Sequence, residues 1–179
     1  MSLAALLQRV VDVLADAGVP HMLTGSLAAA YYSVPRATQD VDVVVAPTED
    51  GILRVVRALS QAGYYVDRAA ALEALKTRGQ FNAIDPETGW KVELIIRKDR
   101  PFSETEFDRR ERASVFGIEV SLTTLEDLLI AELDWAKLGD SALQRSDVRP
   151  LLENRGHDSD RVYVDSWVER LGLGAEWRA

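Results

Sequence analysis

Two aspartates and a glycine–serine pair are the residues of this chain best suited to chemistry. Gly25 and Ser26 close one hydrophobic segment, and Asp40 and Asp42 flank Val41 at the start of another. Successive side chains of a β-strand alternate between its faces, so the two aspartates point the same way. Neighbouring carboxylates raise each other's pKa unless a positive charge lies between them. The arrangement does not help a fold but suits a divalent cation, which indicates metal-dependent phosphoryl or nucleotidyl transfer.

A third acid, Glu93, lies between apolar neighbours on the predicted strand 91–96, on the same face as Lys91. If this strand lies beside residues 39–46, the three acids meet. Three carboxylates on adjacent strands can hold two Mg²⁺ ions, one lowering the pKa of an attacking hydroxyl and the other stabilising a leaving pyrophosphate. Ser26, at the start of the next helix, would then bind the triphosphate, because a helix N-terminus favours anions. The alternative for Ser26 is a helix N-cap without a ligand.

Composition limits the class of protein. With 179 residues, 47% of them hydrophobic and 28% charged, the chain suits one globular domain or a domain with a small lobe. It has no cysteine, which excludes thiolate chemistry and disulfides and fits a cytoplasmic protein. Its two histidines, His21 and His157, lie far apart, which argues against histidine-based metal or triad chemistry. The net charge of −8 argues against broad, non-specific binding of nucleic acid.

No targeting or membrane segment is expected. The N-terminal segment 3–14 is interrupted by Arg9 and Asp12, unlike a signal peptide. No apolar run approaches the ~20 residues that span a bilayer.

Hydrophobic periodicity and turn signals predict a mixed α and β region followed by helices. Because strands are predicted only before residue 122, we expect a core domain over residues 1–121 and a C-terminal helical lobe over residues 122–179. The predicted helices are 2–17, 27–32, 48–61, 69–75, 123–138, 141–154 and 158–171, and the predicted strands are 21–24, 39–46, 63–67, 80–85, 90–96 and 112–121.

Charges and aromatic residues outside the acidic constellation receive simpler interpretations. Residues 97–112 mix six basic residues with acids, which favours a solvated charged loop and helix over a docking edge for RNA or another polyanion. Trp135 and Trp167 lie at helical spacing with aliphatic residues, so we expect both in the core.

The acidic constellation resembles the nucleotidyltransferase superfamily of the DNA polymerase beta type. In that family a hydrophobic residue, Gly and Gly or Ser precede Asp-x-Asp on a strand, and a later strand carries a third acid; here these are Gly25-Ser26, Asp40-Val41-Asp42 and Glu93. The resemblance implies an α+β fold, the minimal nucleotidyltransferase fold, with a mixed sheet flanked by helices and a C-terminal helical lobe. It also implies two Mg²⁺ ions on the three acids and a nucleoside triphosphate substrate.

A more specific resemblance is to small bacterial AbiEii-like and toxin–antitoxin nucleotidyltransferases. It implies that Arg36 and Thr38 help to bind the nucleotide, although a surface arginine and an ordinary strand threonine are the alternatives. It further implies a role in a toxin–antitoxin or phage-defence system, with an antitoxin as partner. The residues that carry it are Pro35, Arg36, Thr38, Asp40, Leu125-Glu126-Asp127-Leu128, Trp135, Ser141, Gln144 and Asp147.

These patterns together predict transfer of a nucleoside monophosphate to the hydroxyl of an acceptor, which is a tRNA, a protein or a small molecule. Asp40, Asp42 and Glu93 are the expected catalytic and metal-binding residues, and Gly25, Ser26, Arg36 and Thr38 the nucleotide-binding ones. Glu132 stands where the AbiEii-like proteins usually have a lysine, and Lys137 would face elsewhere on that helix. The alternative is therefore an inactive member of the fold that senses a nucleotide or binds a partner.

Overall fold

The structure, a computed structural model, describes residues 2–32, 40–139 and 160–178. One mixed sheet of seven strands, in the order β3-β4-β5-β2-β1-β7-β6, is flanked by helices. This is the α+β architecture that the sequence predicts. The strands are β1 His21–Thr24, β2 Asp40–Val45, β3 Tyr65–Val66, β4 Gln80–Ile84, β5 Lys91–Ile96, β6 Glu111–Val115 and β7 Ile118–Leu122. The helices are α1 Leu3–Asp16, α2 Gly25–Tyr32, α3 Glu49–Gln61, α4 Arg68–Thr77, α5 Pro101–Arg109, α6 Leu125–Gly139, α7 Arg161–Leu171 and α8 Gly174–Arg178.

The two central strands position the acidic residues. β2 and β5 both alternate between half-buried and buried side chains along their length. The valines of β2 at 41, 43 and 45 are at most 3% exposed, so one face of the strand is fixed in the core. A shift of one residue would exchange the two faces, and burial of these valines therefore fixes the aspartates on the opposite face.

Helix boundaries follow the capping signals in the sequence. Ser2 caps α1, where its hydroxyl accepts a hydrogen bond from the Ala5 N–H at 3.2 Å. The Thr124 hydroxyl likewise accepts from the Asp127 N–H at 3.2 Å at the start of α6. Gly172 ends α7 in the left-handed conformation, with φ +66°. The helix predicted over 141–154 lies outside the described residues.

Two expectations were wrong. Residues 112–121 are not one strand but most of the hairpin β6–β7, because Phe116 and Gly117 form a tight turn with φ of 53° and 78°. Trp135 does not lie in the core: it is 39% exposed and lies under the Lys98 ammonium. Trp167 is 5% exposed, as expected of a core residue.

Residues 97–112 contain a helix, as expected, but one side of it is buried and not solvated. Their centre is α5, which buries Phe102, Ser103, Glu106 and Phe107. α6 in turn packs against α2 and α7. The division into a core domain over 1–121 and a helical lobe over 122–179 stays a prediction. Among the described residues, no helix combines the length and apolar character needed to cross a bilayer.

Glu106 is the most perturbed acid of the fold. It is 7% exposed, and burial raises its pKa from 4.5 to about 8. Asp127 and Asp134 raise the pKa further, whereas Arg100 and Lys98 oppose the shift. Glu106 is therefore mostly protonated at neutral pH.

A Glu106→Gln variant should be more stable than the wild type above about pH 4.5, by a margin that grows until about pH 8. A folded-state pKa above the unfolded one means that stability from this group is complete below pH 4.5 and is lost as the pH rises to about 8. We expect a difference on the order of 3 kcal/mol in unfolding free energy at pH 9 and little at pH 4.5. Urea unfolding across this range checks it, with exposed Glu104→Gln as the control. A pH-independent difference would contradict it.

Candidate active site

The turn between β1 and α2 brings the backbone close to Asp42. Gly25 follows β1 directly and has φ +60°, a conformation that favours glycine. A Cβ at this position would lie 2.7 Å from the Asp42 Cγ, and closer still to a carboxylate oxygen. The Ser26 N–H donates a hydrogen bond to the Asp42 Oδ2 at 3.3 Å. Glycine is thus needed here both for its φ and for the missing side chain.

Asp42 and Glu93 lie side by side. β2 and β5 are parallel, and their register pairs these two residues directly. Burial raises the pKa of Asp42 from 3.8 to about 6, and the charges of Glu93 and Asp40 raise it further. The hydrogen bond from the Ser26 N–H and the charge of Lys91 lower it. The structure thus brings three predicted site residues to one face of the sheet, where their charges interact.

Two residues that contact the acids, Lys91 and Gln80, had no role predicted from the sequence. The Lys91 Nζ lies 3.5 Å from the Asp40 Oδ2, across the β2–β5 pair. The Gln80 side chain on β4 donates a hydrogen bond to the Glu93 Oε1 at 2.7 Å. Strand alternation already placed Lys91 on the face of Glu93, so the sequence did indicate that Lys91 lies near the acids. Gln80 gave no such signal, because its contact depends on the pairing of β4 with β5.

The remaining predicted site residues, Arg36 and Thr38, lie outside the described residues. In the ranges that the structure does describe, no three Asp, Glu or His side chains converge into a metal cage. Each acid of the constellation instead contacts a protein group, namely the Ser26 N–H, Lys91 or Gln80.

The donor set nevertheless fits Mg²⁺. This ion prefers carboxylate oxygens, and it is usually held by one or two carboxylates together with substrate phosphates rather than by a complete protein cage. The raised pKa of Asp42 is consistent with such an ion, because a divalent cation beside this carboxyl group would favour its ionised form. Asp40, Asp42 and Glu93 are the residues that could hold such an ion.

Comparison with solved structures identifies the fold. No protein-family model and no curated protein matches this chain. The solution structure of the antibiotic-resistance factor ANT(2'')-Ia is similar over 97% of this chain and 95% of its own, at 12% identity and a TM-score of 0.64. The lincosamide antibiotic adenylyltransferase LnuA is similar over 84% of this chain and 96% of its own, at 13% identity and a TM-score of 0.55.

A third solved structure is also similar over most of both chains. It is an antigenic nucleotidyltransferase-like protein from Paracoccidioides brasiliensis, which matches 96% of this chain over 93% of its own, at 15% identity and a TM-score of 0.53. At these identities the similarity establishes the fold and not the activity. The chain therefore has the nucleotidyltransferase fold, as its motifs predicted.

Proposed function

We propose that this protein transfers a nucleoside monophosphate from a nucleoside triphosphate to the hydroxyl of an acceptor, in a reaction that depends on Mg²⁺. The observation that carries the proposal is the pairing of Asp42 with Glu93 on one sheet face, directly against the Gly25–Ser26 turn. The nucleotidyltransferase fold supports the same reaction class, by analogy.

In the proposed reaction, the acceptor oxygen forms a bond to the α-phosphorus while the bond to pyrophosphate breaks. Mg²⁺ held by Asp40, Asp42 and Glu93 would supply positive charge for the phosphates and the attacking oxygen. Glu93 accepts the hydroxyl proton, directly or through water, and Gln80 orients its carboxylate. The backbone at the start of α2, with Ser26, binds the triphosphate. Arg36 and Thr38 are proposed to contact the same nucleotide.

A small molecule is the acceptor class we favour. ANT(2'')-Ia was also solved with adenylyl-2''-tobramycin, and LnuA was solved with lincomycin. The net charge of −8 also disfavours an extended RNA surface on this protein. The toxin–antitoxin role and the antitoxin partner, which the AbiEii-like resemblance implies, stay predictions.

Incubation with Mg²⁺ and α-³²P-labelled nucleoside triphosphates tests the function. Three acceptor pools would be compared: total cellular RNA, lysate protein and a set of hydroxylated small molecules. We expect label in the small-molecule pool, none with Asp40→Asn/Asp42→Asn, and wild-type label with Asp16→Asn, which changes an exposed aspartate of α1. No label in any pool, together with nucleotide-dependent thermal stabilisation, would instead favour the sensor.

Gly25→Ala should inactivate the protein through Asp42. The new methyl group must displace the Asp42 carboxylate, so we expect transfer to fall at least ~100-fold, or about 3 kcal/mol of transition-state stabilisation. Gly18→Ala is a matched control, because Gly18 has a similar φ of +64° but no atom within 4 Å of the added Cβ. Both variants should lose about 1 kcal/mol of stability from the φ strain. Equal activity of the two variants would contradict the role of the close approach.

A further inference from the structure

A cavity lies beside the carboxylates on the same face of the sheet. Its floor includes Thr24, whose register partner is Asp42, and Ile95, two residues after Glu93 on β5. At ~3.3 Å per residue, Ile95 lies roughly 7 Å along the strand from Glu93. A molecule of modest size can therefore reach both the cavity and the carboxylates.

The cavity is the size of one chemical group. Its volume is about 50 Å³, which is room for about four water molecules. This space accommodates a group of three to five non-hydrogen atoms, such as a carboxylate or a phosphate.

The N-terminus of α5 forms one wall of this cavity. Phe102 and Ser103 line it, and Arg100 occupies the N-cap position without making a side-chain cap hydrogen bond. Pro101 has no N–H, and the Glu104 N–H bonds to the Arg100 carbonyl at 3.1 Å, so the N–H groups of Phe102 and Ser103 are those of the first turn without an intrahelical partner. This helix end also carries partial positive charge. This end of α5 therefore favours an anion.

The side chains of the cavity add hydrogen-bond donors and positive charge. Arg97, Lys98 and Arg100 all line it, whereas Asp134 is the one lining acid that is paired, at 2.6 Å from the Arg100 Nη2. The Lys98 ammonium lies over the Trp135 ring, 5.5 Å from its centroid. Within the described residues, Lys98 has no carboxylate at ion-pair distance.

Glu106 completes the wall. The exposed fraction of Glu106 is 7%, and the residue lines the cavity. None of the described residues forms a hydrogen bond with its carboxyl group. Burial raises its pKa to about 8, so at neutral pH the group is mostly a neutral acid with one O–H to donate. With Glu106 neutral, three cations face one anion in the lining.

We propose that this cavity is an oxyanion site, which binds one carboxylate or phosphate group through Lys98, the N-terminus of α5 and the Glu106 side chain. The binding step depends on the cavity alone. The assignment of the oxyanion to the acceptor rests on the proposed function, and it predicts a hydroxylated acid or phosphate ester as acceptor. A cationic acceptor would meet like charge in this cavity.

Sulfate is a suitable probe, because its charge is constant from pH 6 to 9. We expect a saturable shift of the Trp135 indole N–H resonance on titration of the metal-free protein with sulfate, and none with methylammonium. Lys98→Gln should weaken sulfate binding at least about tenfold, whereas Lys76→Gln, an exposed lysine of α4, should not. A response to methylammonium instead of sulfate, or an equal effect of both lysine variants, would overturn the proposal.

Variants of Glu106 test its protonated form. Wild-type binding of sulfate should weaken as the pH rises through 8, because the carboxylate that forms repels the ion, and Glu106→Gln should remove this dependence. The charged groups that face Glu106 are Lys98 and Arg100 beside it and Asp127 and Asp134 on α6. Glu106→Leu, which retains bulk without a donor, should bind sulfate more weakly than Glu106→Gln at neutral pH. Equal binding by both variants would exclude a donor role.

Two further experiments determine which ligand supplies the oxyanion and test this proposal separately from the proposed function. If Mg²⁺ and a non-hydrolysable nucleoside triphosphate leave the sulfate response intact, the site serves the acceptor; if they abolish it, the site serves the nucleotide phosphates. Asp42→Asn should keep sulfate binding while it loses transfer. A failure of transfer in the wild type with sulfate binding intact would thus count against the proposed function alone.

Discussion

Asp42→Asn is expected to reduce nucleotidyl transfer at least ~1000-fold, which corresponds to about 4 kcal/mol of transition-state stabilisation. Burial raises the pKa of Asp42 to about 6, and its neighbour in register is Glu93. Asparagine keeps the size of the side chain and can still accept the Ser26 N–H hydrogen bond, so the fold should be retained. Loss of the charge removes an anionic ligand for Mg²⁺. The ion that would neutralise the negative charge of the phosphates is then no longer held beside them.

Initial rates with saturating nucleotide, together with thermal unfolding, check this expectation. A fall in kcat with an unchanged Tm would place the effect on the reaction and not on folding. Asp16→Asn serves as the control for removing one aspartate charge from the surface. Turnover within tenfold of the wild type would remove Asp42 from the machinery, and Glu93 would then need another partner.

Strand faces were predictable because they depend only on alternation within one strand. The pattern of β2 fixes which residues are buried, and it therefore fixed the shared face of Asp40 and Asp42. The placement of Glu93 beside them needed one further assumption, the pairing of two strands about fifty residues apart. The parallel β2–β5 register confirms that adjacency, although not the catalytic roles.

The features that sequence analysis missed all depend on contacts between distant segments. The N-terminal wall of the cavity exists because the first turn of α5 is buried, and no local period in residues 97–112 indicated that burial. Trp135 has the spacing of a core residue, but its side of α6 faces the cavity and Lys98. The perturbed pKa of Glu106 likewise follows from burial beside charges of α6.

Asp127, which lies outside the candidate site, also makes contacts that its local sequence could not predict. Within the first turn of α6, the Thr124 hydroxyl donates a hydrogen bond to the Asp127 Oδ2 at 2.7 Å, a local contact of the helix cap. Two longer-range donors were not predictable. The Arg109 Nε of α5 donates to Oδ2 at 2.9 Å, and the Tyr163 hydroxyl of α7 donates to Oδ1 at 2.5 Å. One fully buried carboxylate therefore joins three helices.

Asp127→Ala should consequently lower the unfolding free energy by about 3 kcal/mol or more, because three donors lose one charged acceptor in a buried setting. Asp127→Asn retains an acceptor without the charge and should lose roughly half as much. Asp165→Ala, which removes an exposed aspartate of α7, should stay within about 0.5 kcal/mol of the wild type. Urea denaturation of the four proteins measures these differences. Since Asp127 also raises the pKa of Glu106, the alanine variant should shift the sulfate titration of the cavity to lower pH where it remains folded. A loss below 1 kcal/mol would mean that packing of the helices, and not this carboxylate, holds them together.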